Sequence, residues 1–216
     1  MTLDRRSLTL ALISSAFAGP ALAQSAGGAG LSPADRALVD RAAAYLQGLT
    51  EAKARFVQTD ARGRSVGGNV FLKRPGKARF DYDDPSGLLV VSDGGVVSVQ
   101  DTRLKTFDRY PLSATPLSVF LAKNIRLDKG VTVTRVARQA DGFSITARDG
   151  GKRTAGQITL NFREAPQLAL TGWTITDAQN RQTRVQLQNL QKVAGLDGAL
   201  FVLKDPRPKN VGRGKV

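Results

Sequence analysis

From Ala54 onward the sequence keeps a two-residue apolar rhythm, which confines most of the chain to strands. Val66, Gly68, Val70 and Leu72 alternate with polar or small neighbours. So do Phe143, Ile145 and Ala147, then Ile158, Leu160 and Phe162, then Val185 and Leu187. The segments are short and broken by turn signals: Asp93-Gly94-Gly95, Asp141-Gly142, Asp149-Gly150-Gly151 and Asp177-Ala178-Gln179-Asn180. Short strands at near-regular spacing predict one antiparallel sheet of about eleven strands.

Two segments break the rhythm. Ser32 as N-cap, Pro33 at the first helical position and Asp35 three residues after the cap open a helix. Leu38, Ala42, Tyr45, Leu46 and Leu49 fall on one face of it. Thr115-Pro116 reads as a second cap followed by Pro at N1, leading into Leu117, Val119, Phe120 and Leu121, with Asn124 as the stop. Helices against a mostly antiparallel sheet make an α+β fold, with the helices laid on one face of a single curved sheet. No internal repeat is visible. The tail from Lys204, with five basic residues, one acid and two prolines, is expected to be loose.

The first two dozen residues read as an address. Asp4-Arg5-Arg6 precedes an apolar run from Leu8 to Ala18, then Gly19-Pro20 and Ala21-Leu22-Ala23-Gln24. A basic start, a short apolar stretch and an A-x-A site make a secretory signal peptide over residues 1–23, cleaved after Ala23. The run is too short to span a bilayer. Arg5-Arg6 hints at twin-arginine export, although Ser7-Leu8-Thr9 fits the general secretory route better. Gln24 to Gly30 is a flexible lead-in to one domain, residues 24–216, expected in a bacterial periplasm.

The 216 residues include no histidine and no cysteine. Disulfides, zinc fingers, catalytic triads, cysteine nucleophiles, iron–sulfur clusters and histidine acid–base chemistry are therefore excluded. Asp81, Asp83 and Asp84 are the one dense carboxylate group, but Asp84-Pro85-Ser86-Gly87 is an ordinary turn and no calcium-loop spacing follows. The glycines of Gly63 to Gly68 and Gly94-Gly95 match no phosphate loop and read as hairpin turns. No enzyme activity and no cofactor are expected.

Lys and Arg number 32 against 18 acids, a net charge of +14. The basic residues are scattered singly or in pairs, without the interleaved aromatics of a stacking platform, so nucleic acid is not an expected partner. A solvated basic face or attraction to anionic membrane lipid accounts for them. Phe80, Tyr82, Val90 and Leu117 to Leu121 fit either a solid core or the wall of an apolar groove under a helical lid. Physics alone leads to an exported, β-rich, non-catalytic binding protein.

Five segments carry a resemblance. They are Phe56-Val57-Gln58-Thr59, Gly68 through Gly76, Phe80-Asp81-Tyr82, Val91-Ser92-Asp93-Gly94 and Thr115-Pro116-Leu117. Their order and spacing resemble the LolA family of periplasmic carriers of outer-membrane lipoproteins. Leu160-Asn161-Phe162, Trp173 to Asp177 and Phe201 match more loosely. The resemblance implies an incomplete, half-open β-barrel covered by a few helices around an apolar cavity for acyl chains. It implies that Arg74 is similar to the family's lid-latching arginine. It further implies a cavity lined by Phe56, Val70, Leu72, Phe80, Tyr82, Val91, Leu117, Phe120 and Leu121. Implied partners are acylated lipoproteins, an inner-membrane lipoprotein-releasing ABC transporter and an outer-membrane lipoprotein acceptor, served by a monomer. A related lipid-binding or lipoprotein-sensing module is the alternative. Ala78, where a bulky apolar residue is usual, and the high charge depart from the family pattern.

Overall fold

A computed structural model describes residues 30–115, 117–125, 131–150 and 156–207, leaving aside the side chains of Phe120 and Asp149. The expected signal peptide lies outside these residues. From Ser32 on the chain gathers into one compact unit.

Helix α1 spans Pro33–Gln47. Ser32 caps it as expected, accepting the Asp35 N–H at 3.1 Å while Pro33 occupies the first turn. Leu38, Val39, Ala42 and Leu46 are buried along one stripe, and Leu49 is buried just past the helix end.

Eleven strands follow among the described residues: β1 Glu51–Thr59, β2 Ser65–Lys73, β3 Lys77–Tyr82, β4 Leu88–Asp93, β5 Val96–Asp101 and β6 Thr106–Pro111, then β7 Val131–Arg138, β8 Gly142–Asp149, β9 Gln157–Arg163, β10 Ala169–Thr176 and β11 Gln182–Lys192. The 3-10 turn Leu112–Ala114 and the one-turn helix α2, Ser118–Leu121, separate β6 from β7. All the strands form one antiparallel sheet in the order β6-β5-β4-β3-β2-β1-β11-β10-β9-β8-β7. Each hairpin pairs neighbours in sequence, and the join of β1 to β11 brings the two halves into one sheet. The order ends at β6 and β7, so the sheet is unclosed, as the half-open barrel reading requires.

Strand alternation gives this sheet two distinct faces. The inner face, under α1, carries Phe143, Ile145, Ala147, Ile158, Leu160, Phe162, Trp173 and Val185, then Phe56, Val70, Leu72, Ala78 and Phe80. Tyr45 of α1 meets the Phe162 ring edge-on at 6.1 Å, and Phe162 stacks on Phe143 at 5.2 Å. Arg41 pairs with Glu164 at 2.7 Å beside them. Burying each Leu or Phe side chain contributes about 1.5–3 kcal/mol, so this face and the α1 stripe dominate stability.

The outer face carries a smaller second core, built on the chain beyond β11. That chain is pinned to the sheet: Leu196 N donates to Glu51 Oε2 at 2.8 Å, and Lys73 Nζ donates to Leu196 O at 2.6 Å. The 3-10 turn Gly198–Phe201 lies against β3 and β4, where Arg79 Nη1 donates to Leu200 O at 3.1 Å. Phe201 and Val91 are each 1% exposed, and the Arg207 guanidinium sits 5.7 Å from the Phe107 ring centre. The tail expected to be loose from Lys204 is therefore held as far as Arg207, which also pairs with Asp205 at 2.7 Å. Residues 208–216 lie outside the described part.

Two further expectations change. Thr115 does not cap α2. It closes the preceding 3-10 turn, its hydroxyl donating to Leu112 O at 2.8 Å, and α2 begins only at Ser118 with no side-chain cap. Gly67 and Gly68 lie inside β2 rather than in the hairpin turn.

Candidate functional site

The aromatic residues at the centre of the inner face come from neighbouring strands. Phe56 of β1 lies opposite Gly68 of β2, which lies opposite Tyr82 of β3. The Phe56 ring meets Phe80 edge-on at 5.6 Å and Tyr82 at 5.0 Å. Phe80 in turn meets Trp173 at 6.2 Å. Edge-to-face contacts of this kind add to the area these rings bury. Tyr82 keeps one polar link, its hydroxyl donating to Gln58 Oε1 at 2.8 Å. Burial pushes the Tyr82 phenol up to about 12, against the smaller lowering by that hydrogen bond. The phenol is therefore neutral at any physiological pH.

Of the residues assigned to the cavity, Phe56, Val70, Leu72, Phe80 and Tyr82 share this face. Leu121 is fully buried and Leu117, at the start of α2, is half-buried. The side chain of Phe120 lies outside the described part. Val91 stands apart: it pairs with Arg79, which pairs with Phe71, so it faces outward beneath the C-terminal segment. A shift of one residue along a strand changes the face, and Val90 is the member of that pair opposite Phe80. Trp173 belongs to the aromatic group, although the resemblance places it only in a loose match.

Arg74 lies in the turn between β2 and β3 and joins two helix ends. Its Nη1 donates to Leu46 O in the last turn of α1, and its Nη2 donates to Ala122 O just past α2 at 2.7 Å. Its own backbone N–H is fixed on Thr50 O at 2.8 Å. Helix α1 has no basic residue in its last turn, so Arg74 supplies the cation that complements its C-terminal carbonyls. Burial lowers the Arg74 pKa from the ordinary arginine value, and its Nε has no hydrogen-bond partner among the described residues. The guanidinium stays charged.

The turn also touches α2 through its backbone. Gly76 N–H donates to Leu121 O at 2.8 Å, and the Ser92 hydroxyl donates to Gly76 O at 2.6 Å. Gly76 has φ 75°, and a Cβ there would lie 2.7 Å from Gly94 Cα. Glycine is required by both conformation and space.

The acidic group near this face is engaged elsewhere. Asp81 accepts from Arg79 at 2.8 Å, and Asp83 takes both nitrogens of Arg55 at 2.9 and 2.6 Å. The Arg55 guanidinium holds the Asp83 carboxyl below its usual range. Among the described residues no group of three or more acids is arranged to hold a metal ion.

An unclosed antiparallel sheet with a large apolar inner face under α1, and a short helix α2 that an arginine ties to the end of α1, defines a binding scaffold of the open-barrel class. The sequence model described as outer membrane lipoprotein carrier protein LolA matches residues 47–204. The chain belongs to the LolA family. An outer-membrane lipoprotein carrier protein from Chromobacterium violaceum is 26% identical over 204 residues, 90% of this chain and 97% of that one. Another of the same description from Methylococcus capsulatus is 27% identical over 184 residues, covering 81% and 87%. A solved LolA superfamily protein from Nitrosomonas europaea aligns at TM-score 0.43 and 11% identity, over 74% of this chain and 97% of that one. The fold assignment stands on the strand order, independent of that alignment.

Proposed function

We propose that this protein is a periplasmic carrier that shields the acyl chains of outer-membrane lipoproteins on its inner face. In this reading it collects them from an inner-membrane releasing ABC transporter and delivers them to an outer-membrane acceptor, working as a monomer without cofactor or catalysis. The observation that carries the reading is the continuous apolar face from Phe80 and Phe56 to Trp173, beneath helices joined by Arg74. Each acyl methylene removed from water contributes about 0.8 kcal/mol, so a chain crossing an aqueous space needs such a shelter. The same face is packed by protein side chains while Arg74 holds both helix ends, so cargo enters by displacing α2. The family membership and the descriptions of the two relatives favour lipoprotein as the cargo.

Mass spectrometry of the protein isolated from a periplasmic fraction tests this. An acylated protein bound at one-to-one stoichiometry is expected. Free lipid instead would favour the lipid-binding or sensing alternative, and a retained Met1 would contradict cleavage after Ala23.

A further inference from the structure

Beside Arg74, a second side chain grips the segment that leaves α2. Gln47 is the last residue of α1, and its amide makes two bonds to that segment. Its Oε1 accepts the Ile125 N–H at 2.9 Å, and its Nε2 donates to Lys123 O at 3.3 Å. One primary amide thus satisfies a donor and an acceptor two residues apart, as a neighbouring strand would. Consecutive residues of α1 therefore hold one short stretch: Leu46 through Arg74 to Ala122, and Gln47 directly to Lys123 and Ile125. Ile125 is buried, which fixes the far end of the stretch.

The two grips differ in chemistry. Those of Arg74 are charge-assisted and half-buried. Those of Gln47 are neutral: the bond to Lys123 O is exposed to water, and the bond from the Ile125 N–H is part-buried. We infer that Gln47 is a second latch, a positioning residue that sets, together with Arg74, how readily α2 lifts from the inner face. Gln47 opens first, because its bonds are uncharged and its exposed side chain can turn to water, and Arg74 then releases α1 from Ala122. The role in cargo transfer rests on the carrier reading above; the grip itself does not.

Hydrogen exchange on the full-length protein, paired with a transfer assay using a triacylated lipopeptide, tests this. Gln47→Met keeps length and helix preference while removing both bonds. A net hydrogen bond corresponds to about a two- to tenfold change in an equilibrium, so exchange at the Ile125 amide should rise about fivefold. Exchange at β8 should not change, and Gln47→Glu, which keeps only the acceptor, should fall between. Loading should be preserved and unloading slowed, in the same direction as Arg74→Leu and by a smaller factor. Unchanged Ile125 exchange, or raised exchange with normal unloading, would overturn the second latch. Failure of the wild-type protein to load at all would overturn the carrier reading, while the exchange result would still decide the grip.

Discussion

Phe56 lies directly over Gly68, its cross-strand partner, so closely that a Cβ on residue 68 would sit 2.6 Å from ring atoms Cε1 and Cζ. The missing side chain is what lets the Phe56 ring reach both Phe80 and Tyr82. Asp81 O also crowds that position, so the backbone as well as the ring must shift to admit a methyl group. Gly68→Ala should destabilise the protein by about 1–3 kcal/mol. Urea unfolding checks it, and a midpoint equal to wild type would show that the ring has room to spare.

Arg74→Leu should fold, load cargo at least as well as wild type and unload it poorly, because the closed state loses the bonds to Leu46 O and Ala122 O. Bonds to a charged donor are worth about 1.5–3 kcal/mol each, enough to move the open–closed balance tenfold or more. Lysine should restore only part of the effect, since a single ammonium lacks the planar fork that spans two carbonyls. Separate loading and unloading rates on purified protein are the measurement, and normal unloading by Arg74→Leu would remove the latch.

Stability should be flat between about pH 5 and 8, because the chain has no histidine or cysteine to titrate there. Glu51, Asp60, Asp83, Asp93, Asp177 and Asp205 all have lowered pKa values. Backbone N–H groups lead the causes for Glu51, Asp93 and Asp177, and arginine partners for Asp60, Asp83 and Asp205. A lowered carboxyl stabilises the fold fully above its unfolded value of about 4 and loses that contribution as pH falls through the folded value. Thermal melts should therefore drop only below about pH 4. A transition near pH 6 would contradict this.

Phe201 anchors the C-terminal segment on the outer face at 1% exposure. Phe201→Ala should cost about 3–5 kcal/mol. A loss under about 1 kcal/mol in urea unfolding, closer to the range of a surface change, would show that the segment adds little.

Helix α1 and the strands were legible because each is written locally, whereas the start of α2 was not, since Thr115 closes the preceding 3-10 turn instead of capping it. Ser32, Pro33 and Asp35 mark the start of α1, and two-residue alternation with Asp-Gly turns marks the strands. Contacts between distant segments were not legible from the residues alone. Arg74 stands out through the family resemblance, but its two carbonyl partners depend on where α1 and α2 end. Gln47 gives no signal, since a glutamine at a helix end is ordinary until Ile125 and Lys123 are beside it. Val91 faces outward, against its assignment to the cavity, because alternation fixes which residues share a face and not which face is inward. The charge-rich tail reads as loose because the pockets for Phe201 and Arg207 are built from strands far away in sequence.

If the inner face receives acyl chains, the single tryptophan reports on it directly. Trp173 is 1% exposed and 6.2 Å from Phe80. Titration with a triacylated lipopeptide should change its emission saturably and displace a bound apolar dye, while the same peptide without acyl chains should do neither. Equal responses to both peptides, or none to either, would contradict the account.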